Sequence, residues 1–174
     1  MVNEVLEFWF SEVGKAGWYR QSDVLDEAIR SRFESLLKQV AAGETAHWRD
    51  TPYGRLAEII VLDQLSRNMY RGTPDAFATD SLALVLAQEA VRNKIDQALE
   101  EQQRSFLYMP YMHSESRKIH KTAVSLFKST NNLRSELRHK EIIDRFGRYP
   151  HRNKILNRVS TSDEMAWLEN NKGF

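Results

Sequence analysis

The sequence predicts an all-α protein of about eight to nine helices, and three observations carry that expectation. Apolar residues recur at 3.6-residue spacing in one segment after another. No run shows the period-2 alternation of a half-buried strand. The segments are separated by capping residues, glycines and prolines, the punctuation of helices. With 174 residues, 41% of them hydrophobic and 28% charged, the chain fits a single globular domain spanning 1–174.

The elements follow in order. Residues 3–12 carry Val5, Leu6, Phe8, Trp9 and Phe10, a short apolar helix stopped by Gly14 and Gly17, with a face that would suit a dimer contact. Ser22 or Asp23 caps a helix in which Leu25, Ile29, Phe33, Leu36, Leu37 and Val40 keep the period, ended by Gly43. Thr51-Pro52 opens the next helix as N-cap and first-turn proline. It runs to about Tyr70 and ends near Gly72. Apolar almost all round, it belongs deep inside the fold. Thr79 caps a helix rich in Leu and Ala over Leu82–Val91. Glu100–Met109 reads as a short helix that Pro110 breaks or kinks. Ser114 caps another, with Ile119, Ala123, Leu126 and Phe127 on one face. Leu133–Phe146 ends at Gly147, with Pro150 confirming the stop. Thr161-x-x-Glu164 is a capping box for a last short helix.

Composition bounds the function. The formal net charge is +1, so no bulk field draws the chain to nucleic acid or an anionic membrane. There is no cysteine, which removes disulfides, thiolate nucleophiles and Cys-based zinc sites and fits a cytoplasmic location. The N-terminus carries Glu4 and Glu7 and lacks a basic n-region, so no signal peptide is expected. Its uncharged runs are far shorter than the roughly 20 residues of a membrane span. No cofactor motif stands out, and no glycine-rich phosphate loop is present.

Three polar stretches sit inside this apolar pattern. In Leu62–Phe77, Asp63 and Arg67 share a helix face with Leu56, Ile59, Ile60 and Tyr70, and Arg71 continues the line. A charge on an apolar face must be paired, and Asp63 lies four residues before Arg67 in the favourable order. Phe106–Glu115 closes on His113, Ser114 and Glu115. His113 is there a candidate general base tuned by Glu115, or Ser114 and Glu115 simply start a helix. His139 falls on the apolar face of Ile142, Ile143 and Phe146, the pattern of a hydrogen-bonded core histidine. His47 and His120 stand in no constellation and are assigned no role. The third stretch, Arg145–Arg158, holds four arginines around Gly147 and Pro150. Between Arg134 and Arg158, eight Lys/Arg face three Asp/Glu. Gly147 and Pro150 would display His151, Arg152 and Asn153 from a stiff turn.

Taken together, L-D-Q-L-S-R-N-M-Y-R-G-T-P-D-A-F, F-L-Y-M-P-Y-M-H-S-E and G-R-Y-P-H-R-N-K-I-L-N-R, with the opening V-L-E-F-W-F, resemble the bacterial domain-of-unknown-function family nine-two-four. The resemblance covers nearly the whole chain and implies antiparallel helical hairpins of the tetratricopeptide-like kind. Ser66 stands where that family usually has proline, which should leave the helix less kinked. Asn157 stands where it usually has glycine, and asparagine can still adopt the left-handed conformation. The resemblance implies a fold and no activity.

Three functions are compatible with these residues. A binding module would hold an anionic small molecule or peptide carboxylate with Arg67, Arg71, Arg148, His151, Arg152 and Asn153. An acid–base or hydrolytic enzyme would use His113 or His151 with a carboxylate such as Glu115, leaving arginines to hold developing negative charge. An RNA-binding protein would use the basic segment with Phe146 and Tyr149, against which the near-zero net charge argues. In each case Asp63, Arg67, Glu115 and Arg145 are expected to form an internal polar network. No metal site is expected, because the histidine and carboxylate spacings match no ligand motif.

Overall fold

The structure, a computed structural model, describes residues 1–171. Among them are eight helices and no strand. Helix α1 (Val2–Glu7) passes through a wide π-helical stretch (Phe8–Val13) into the short turn Gly14–Gly17. Helix α2 spans Asp23–Ala41, with Ser22 as N-cap accepting from the Leu25 amide. Helix α3 begins as Pro52–Ile59, widens over Ile60–Leu65 and finishes as Ser66–Met69. Then come α4 (Asp80–Arg92), α5 (Glu101–His113), α6 (Arg117–Phe127), α7 (Leu133–Phe146) and α8 (Ser162–Asn170).

Helix α3 is the axis of the packing. Leu56, Ile59, Ile60, Val61, Leu62, Leu65 and Met69 are all fully buried, and α1, α2, α4 and α5 pack against it. A helix apolar all round has no stable place except inside other helices. Consecutive pairs α4–α5, α5–α6 and α6–α7 pack side by side across short connections, so they form antiparallel hairpins. A second, small apolar cluster joins Ile142, Ile143 and Tyr149, with Phe146 and Trp167 against it. It fastens α8 and the 3₁₀ turn Pro150–Arg152 to α7.

Most caps stand where the residues place them. Thr51 accepts from the Gly54 amide, Gly147 closes α7 at φ 72°, and Thr161 and Glu164 form a reciprocal capping box. Asn157 adopts φ 53°, the left-handed geometry expected of it. Ser66 leaves α3 continuous to Met69, and the wide turn is stabilised by side chains. The Leu62 carbonyl accepts from the Ser66 and Thr79 hydroxyls, both at 2.6 Å. Thr79 precedes α4 but caps nothing there, because its hydroxyl is engaged with α3.

Three expectations are corrected. Pro110 does not end its helix at Met109; α5 runs through it to His113. Seven consecutive residues, Phe106–Met112, are buried there, and that burial outweighs the roughly 3 kcal/mol of an interior proline. Ser114 does not cap α6, which starts at Arg117 after Ser116. The apolar face of α1 is not free for a dimer partner: Val5, Phe8 and Trp9 are buried in this chain's own core, with Trp9 edge-on to Phe106 at 5.6 Å.

Gly54 lies where α3 meets the turn Ala46–Asp50, and a Cβ there would collide with the Trp48 carbonyl oxygen. Gly54→Ala should therefore lower the unfolding free energy by about 3 kcal/mol, because backbone cannot yield as a side-chain tip can. Urea unfolding followed by circular dichroism measures it; an unchanged midpoint would contradict this packing.

Candidate functional site: a buried Asp–His pair at a cleft

The wide turn of α3 carries Asp63 into the interior, where it is fully buried. Its Oδ1 lies 2.8 Å from His113 Nδ1 at the end of α5 and 3.0 Å from Arg67 Nη1, one turn along α3. The Gln64 amide donates to Oδ2. Arg67 also donates to the Asp63 carbonyl at 2.6 Å and to Asp80 Oδ2 on α4 at 2.9 Å. Burial by itself would raise the Asp63 carboxyl, but Arg67 and His113 outweigh it and hold it at about 2. Burial pushes His113 below its ordinary value, reinforced by Arg67. At neutral pH the pair is thus a carboxylate and a neutral imidazole. A carboxylate only accepts, so Nδ1 carries the hydrogen and Nε2 carries the lone pair. Nε2 makes no hydrogen bond among the described residues, and His113 lines a cleft.

That cleft has a volume of about 350 Å³. Its apolar wall includes Pro74, Phe77, Leu84, Pro110 and Leu156, and its polar wall Asp80, His113, Ser114, Glu115 and Arg152. Arg152 is buried, with its guanidinium 4.6 Å from the ring centres of both Phe77 and Tyr149. Its Nη2 donates to the His113 carbonyl at 3.1 Å, while Nη1 reaches Asp80 at 3.4 Å. Its buried Nε has no acceptor. Burial draws this guanidinium below its usual range, helped by the nearby charge of Arg67. Glu115 is held by Arg158 at 2.6 and 2.9 Å and accepts from the Tyr149 amide.

The three polar stretches therefore meet, but not through every residue expected. Asp63, Arg67, His113, Glu115 and Arg152 converge. Arg71 turns away to α2, where it and Asn68 bind Asp26. Arg148 forms a two-pronged pair with Glu164 and donates to the Val159 carbonyl. Asn153 is buried against Ser160, Glu164 and Arg158. His151 packs beside Tyr149 at 5.5 Å, and burial lowers it to about 4. Arg145, expected in the internal network, instead lies over the Phe146 ring and lines a separate hollow of about 300 Å³ beside α8. The basic segment is thus largely neutralised by internal carboxylates. Tyr149, needed to stack a base in the RNA reading, is fully buried. Asp80, Arg158 and Phe77 were assigned no role from sequence, and Tyr149 only that of a base-stacking ring. His120, likewise assigned none, is fully buried and bonds Glu136; its place three residues before Ala123 and seven before Phe127 on an apolar face was the available signal. No three His, Asp or Glu among the described residues are grouped to hold a metal ion, and no helix there is long and apolar enough to cross a membrane.

Fold and site together define an all-α protein with a buried Asp–His pair where α3, α4, α5 and the Pro150–Arg152 turn meet. The chain belongs to the family described as bacterial protein of unknown function (DUF924), whose model matches residues 5–172. It is also similar to a solved structure of a protein of unknown function from Agrobacterium tumefaciens. The two are 34% identical, the match covers 98% of this chain and 97% of that one, and the TM-score is 0.93. No curated protein matches the chain.

Removing the buried carboxylate with Asp63→Ala leaves Arg67 to Asp80 alone and His113 Nδ1 without its acceptor, and should cost about 3 kcal/mol of stability, measured by urea unfolding at pH 7. Acid should act similarly. Burial holds His139 at about 3 and His151 at about 4, both below the roughly 6.5 of an unfolded chain. Between pH 6.5 and 4 the unfolded chain thus binds more protons, so stability falls as pH falls through that window. A loss of about 2 kcal/mol per histidine, about 4 kcal/mol for the two, is expected between pH 7 and pH 5 from urea unfolding at the two values.

Proposed function

We propose that the cleft is the site of an acid–base enzyme acting on a small organic molecule, with His113 as general base and Asp63 holding its tautomer. The observation that carries this reading is His113 on the cleft wall, its Nδ1 fixed on a buried carboxylate and its Nε2 without a hydrogen bond among the described residues. Nε2 would take a proton from a water or from the substrate, and Asp63 would stabilise the imidazolium that forms. Arg152, rigid between two rings, would face developing negative charge. The cleft volume suits a small molecule. The charges around it cancel, Asp63 and Asp80 against Arg67 and Arg152, which disfavours polyanions.

A second reading, capture of an anion without chemistry, is favoured by the unpartnered Nε of Arg152. A panel of small esters, amides and phosphate esters separates the two. Under the first reading the protein turns over at least one class, and His113→Gln lowers kcat by about 10²- to 10⁴-fold without loss of fold. The rate also declines on the acid side as His113 is protonated. Turnover that His113→Gln leaves intact rules out the proposed base. Thermal stabilisation by acetate or phosphate that disappears in Arg152→Ala, with no turnover in the panel, would leave binding alone.

A further inference from the structure

A second buried His–carboxylate pair lies behind the first. His120 on α6 and Glu136 on α7 are both fully buried, with Nδ1 2.8 Å from Oε1. The other ring nitrogen, Nε2, is 2.8 Å from the Ser114 carbonyl and 3.2 Å from the Tyr149 hydroxyl. A carbonyl only accepts, so Nε2 carries a hydrogen, and one further proton is shared between Nδ1 and Glu136. The Tyr149 hydroxyl, taking that hydrogen as an acceptor, donates its own to the Met112 carbonyl at 2.5 Å. Arg152 takes the His113 carbonyl. Three successive carbonyls at the C-terminal end of α5, those of Met112, His113 and Ser114, are thus each held by a side chain. These are carbonyls that a helix end cannot satisfy within itself. Two of the peptide planes so fixed flank the His113 Cα, and the third follows directly.

We propose that His120, seated on Glu136, is a positioning residue for His113: it pins the end of α5 so that the imidazole keeps its Nδ1 hydrogen on Asp63 and Nε2 towards the cleft. The inference rests on the acid–base reading of that cleft. A group that only filled the core would need no donor aimed at Ser114 and Tyr149. His120 acts through backbone: its ring hydrogen-bonds Glu136, the Ser114 carbonyl and the Tyr149 hydroxyl, and of these three residues Ser114 lines the cleft.

The tautomer of each histidine is read from long-range proton–nitrogen spectra of protein carrying ¹⁵N-histidine. In the unaltered protein His113 should be the Nδ1–H form. His120→Gln places an amide donor near the former Nε2 and should preserve that signature. His120→Asn falls short of Ser114 and should turn the minor tautomer of His113 into a comparably populated one. Glu136→Ala, which unseats His120, should do the same as His120→Asn, and Glu136→Gln, which can still hold the ring, should not. A folded His120→Asn or Glu136→Ala protein with an unchanged His113 spectrum overturns the proposal, as does a His120→Gln protein that loses the signature. If the unaltered protein already lacks the Nδ1–H form, the acid–base reading itself fails, so the two failures are told apart.

Discussion

A carboxylate buried in the middle of the most apolar helix is the constraint on which this structure turns. Desolvating Asp63 costs several kcal/mol unless every lone pair finds a partner. One helix cannot supply them all. Arg67 comes from the next turn of α3 and Gln64 from beside it, while His113 must come from α5. Arg67 brings a buried positive charge that in turn engages Asp80 on α4. Asp80 draws in Arg152 from the turn after α7. A chain of compensation that begins with one charge thus crosses α3, α4, α5 and the Pro150–Arg152 turn. The wide turn of α3 is part of it, because it leaves the Leu62 and Asp63 carbonyls to be met by Ser66, Thr79 and Arg67 side chains.

The same logic disposes of the positive charge in Arg145–Arg158. Arg148 goes to Glu164, Arg158 to Glu115 and Arg152 to Asp80, each reaching out of the segment for its partner. A local excess of cations along the sequence is therefore no measure of field at the surface. What the pairs achieve is placement. Glu115 receives both Arg158 and the Tyr149 amide, which fixes the loop after α5 against the loop after α7. Arg148 fastens the same segment to α8. The cleft lies between structures that are tied together by charge on one side and by the apolar wall of α4 and Pro110 on the other.

Much of the fold was legible in the residues because its signals are local. A Thr-Pro start, a glycine at a helix end and a Thr-x-x-Glu box act within four residues, and each stands where its chemistry places it. Pro110 misled because its cost is local while the burial that outweighs it is not. Asp63–Arg67 was readable as an i, i+4 pair on one face. Arg71, on the same face, could not be assigned to Asp26, since periodicity gives the direction of a side chain and not the helix it will meet. His120 shows the converse. It stands in no recognisable motif and was assigned no role, and its partners Glu136, Ser114 and Tyr149 arrive through tertiary packing.

Whether such a network is a fastening or a site is decided by what it leaves over. A fastening is complete when each charge is met, and Asp63 is met by Arg67 and Gln64 with the geometry of a helical pair. An imidazole adds a third partner of a particular kind. It binds the carboxylate through Nδ1, its Nε2 has no hydrogen bond among the described residues, and the residue lines the cleft. Burial holds the His113 imidazole below its ordinary value, so it is neutral at physiological pH. The end of α5 that carries it is then held carbonyl by carbonyl by Tyr149, Arg152 and His120. Stability requires the pairing of Asp63, and Arg67 and Gln64 already supply two partners for it. The Arg71–Asp26 and Arg148–Glu164 pairs differ from this centre in lining no part of the cleft.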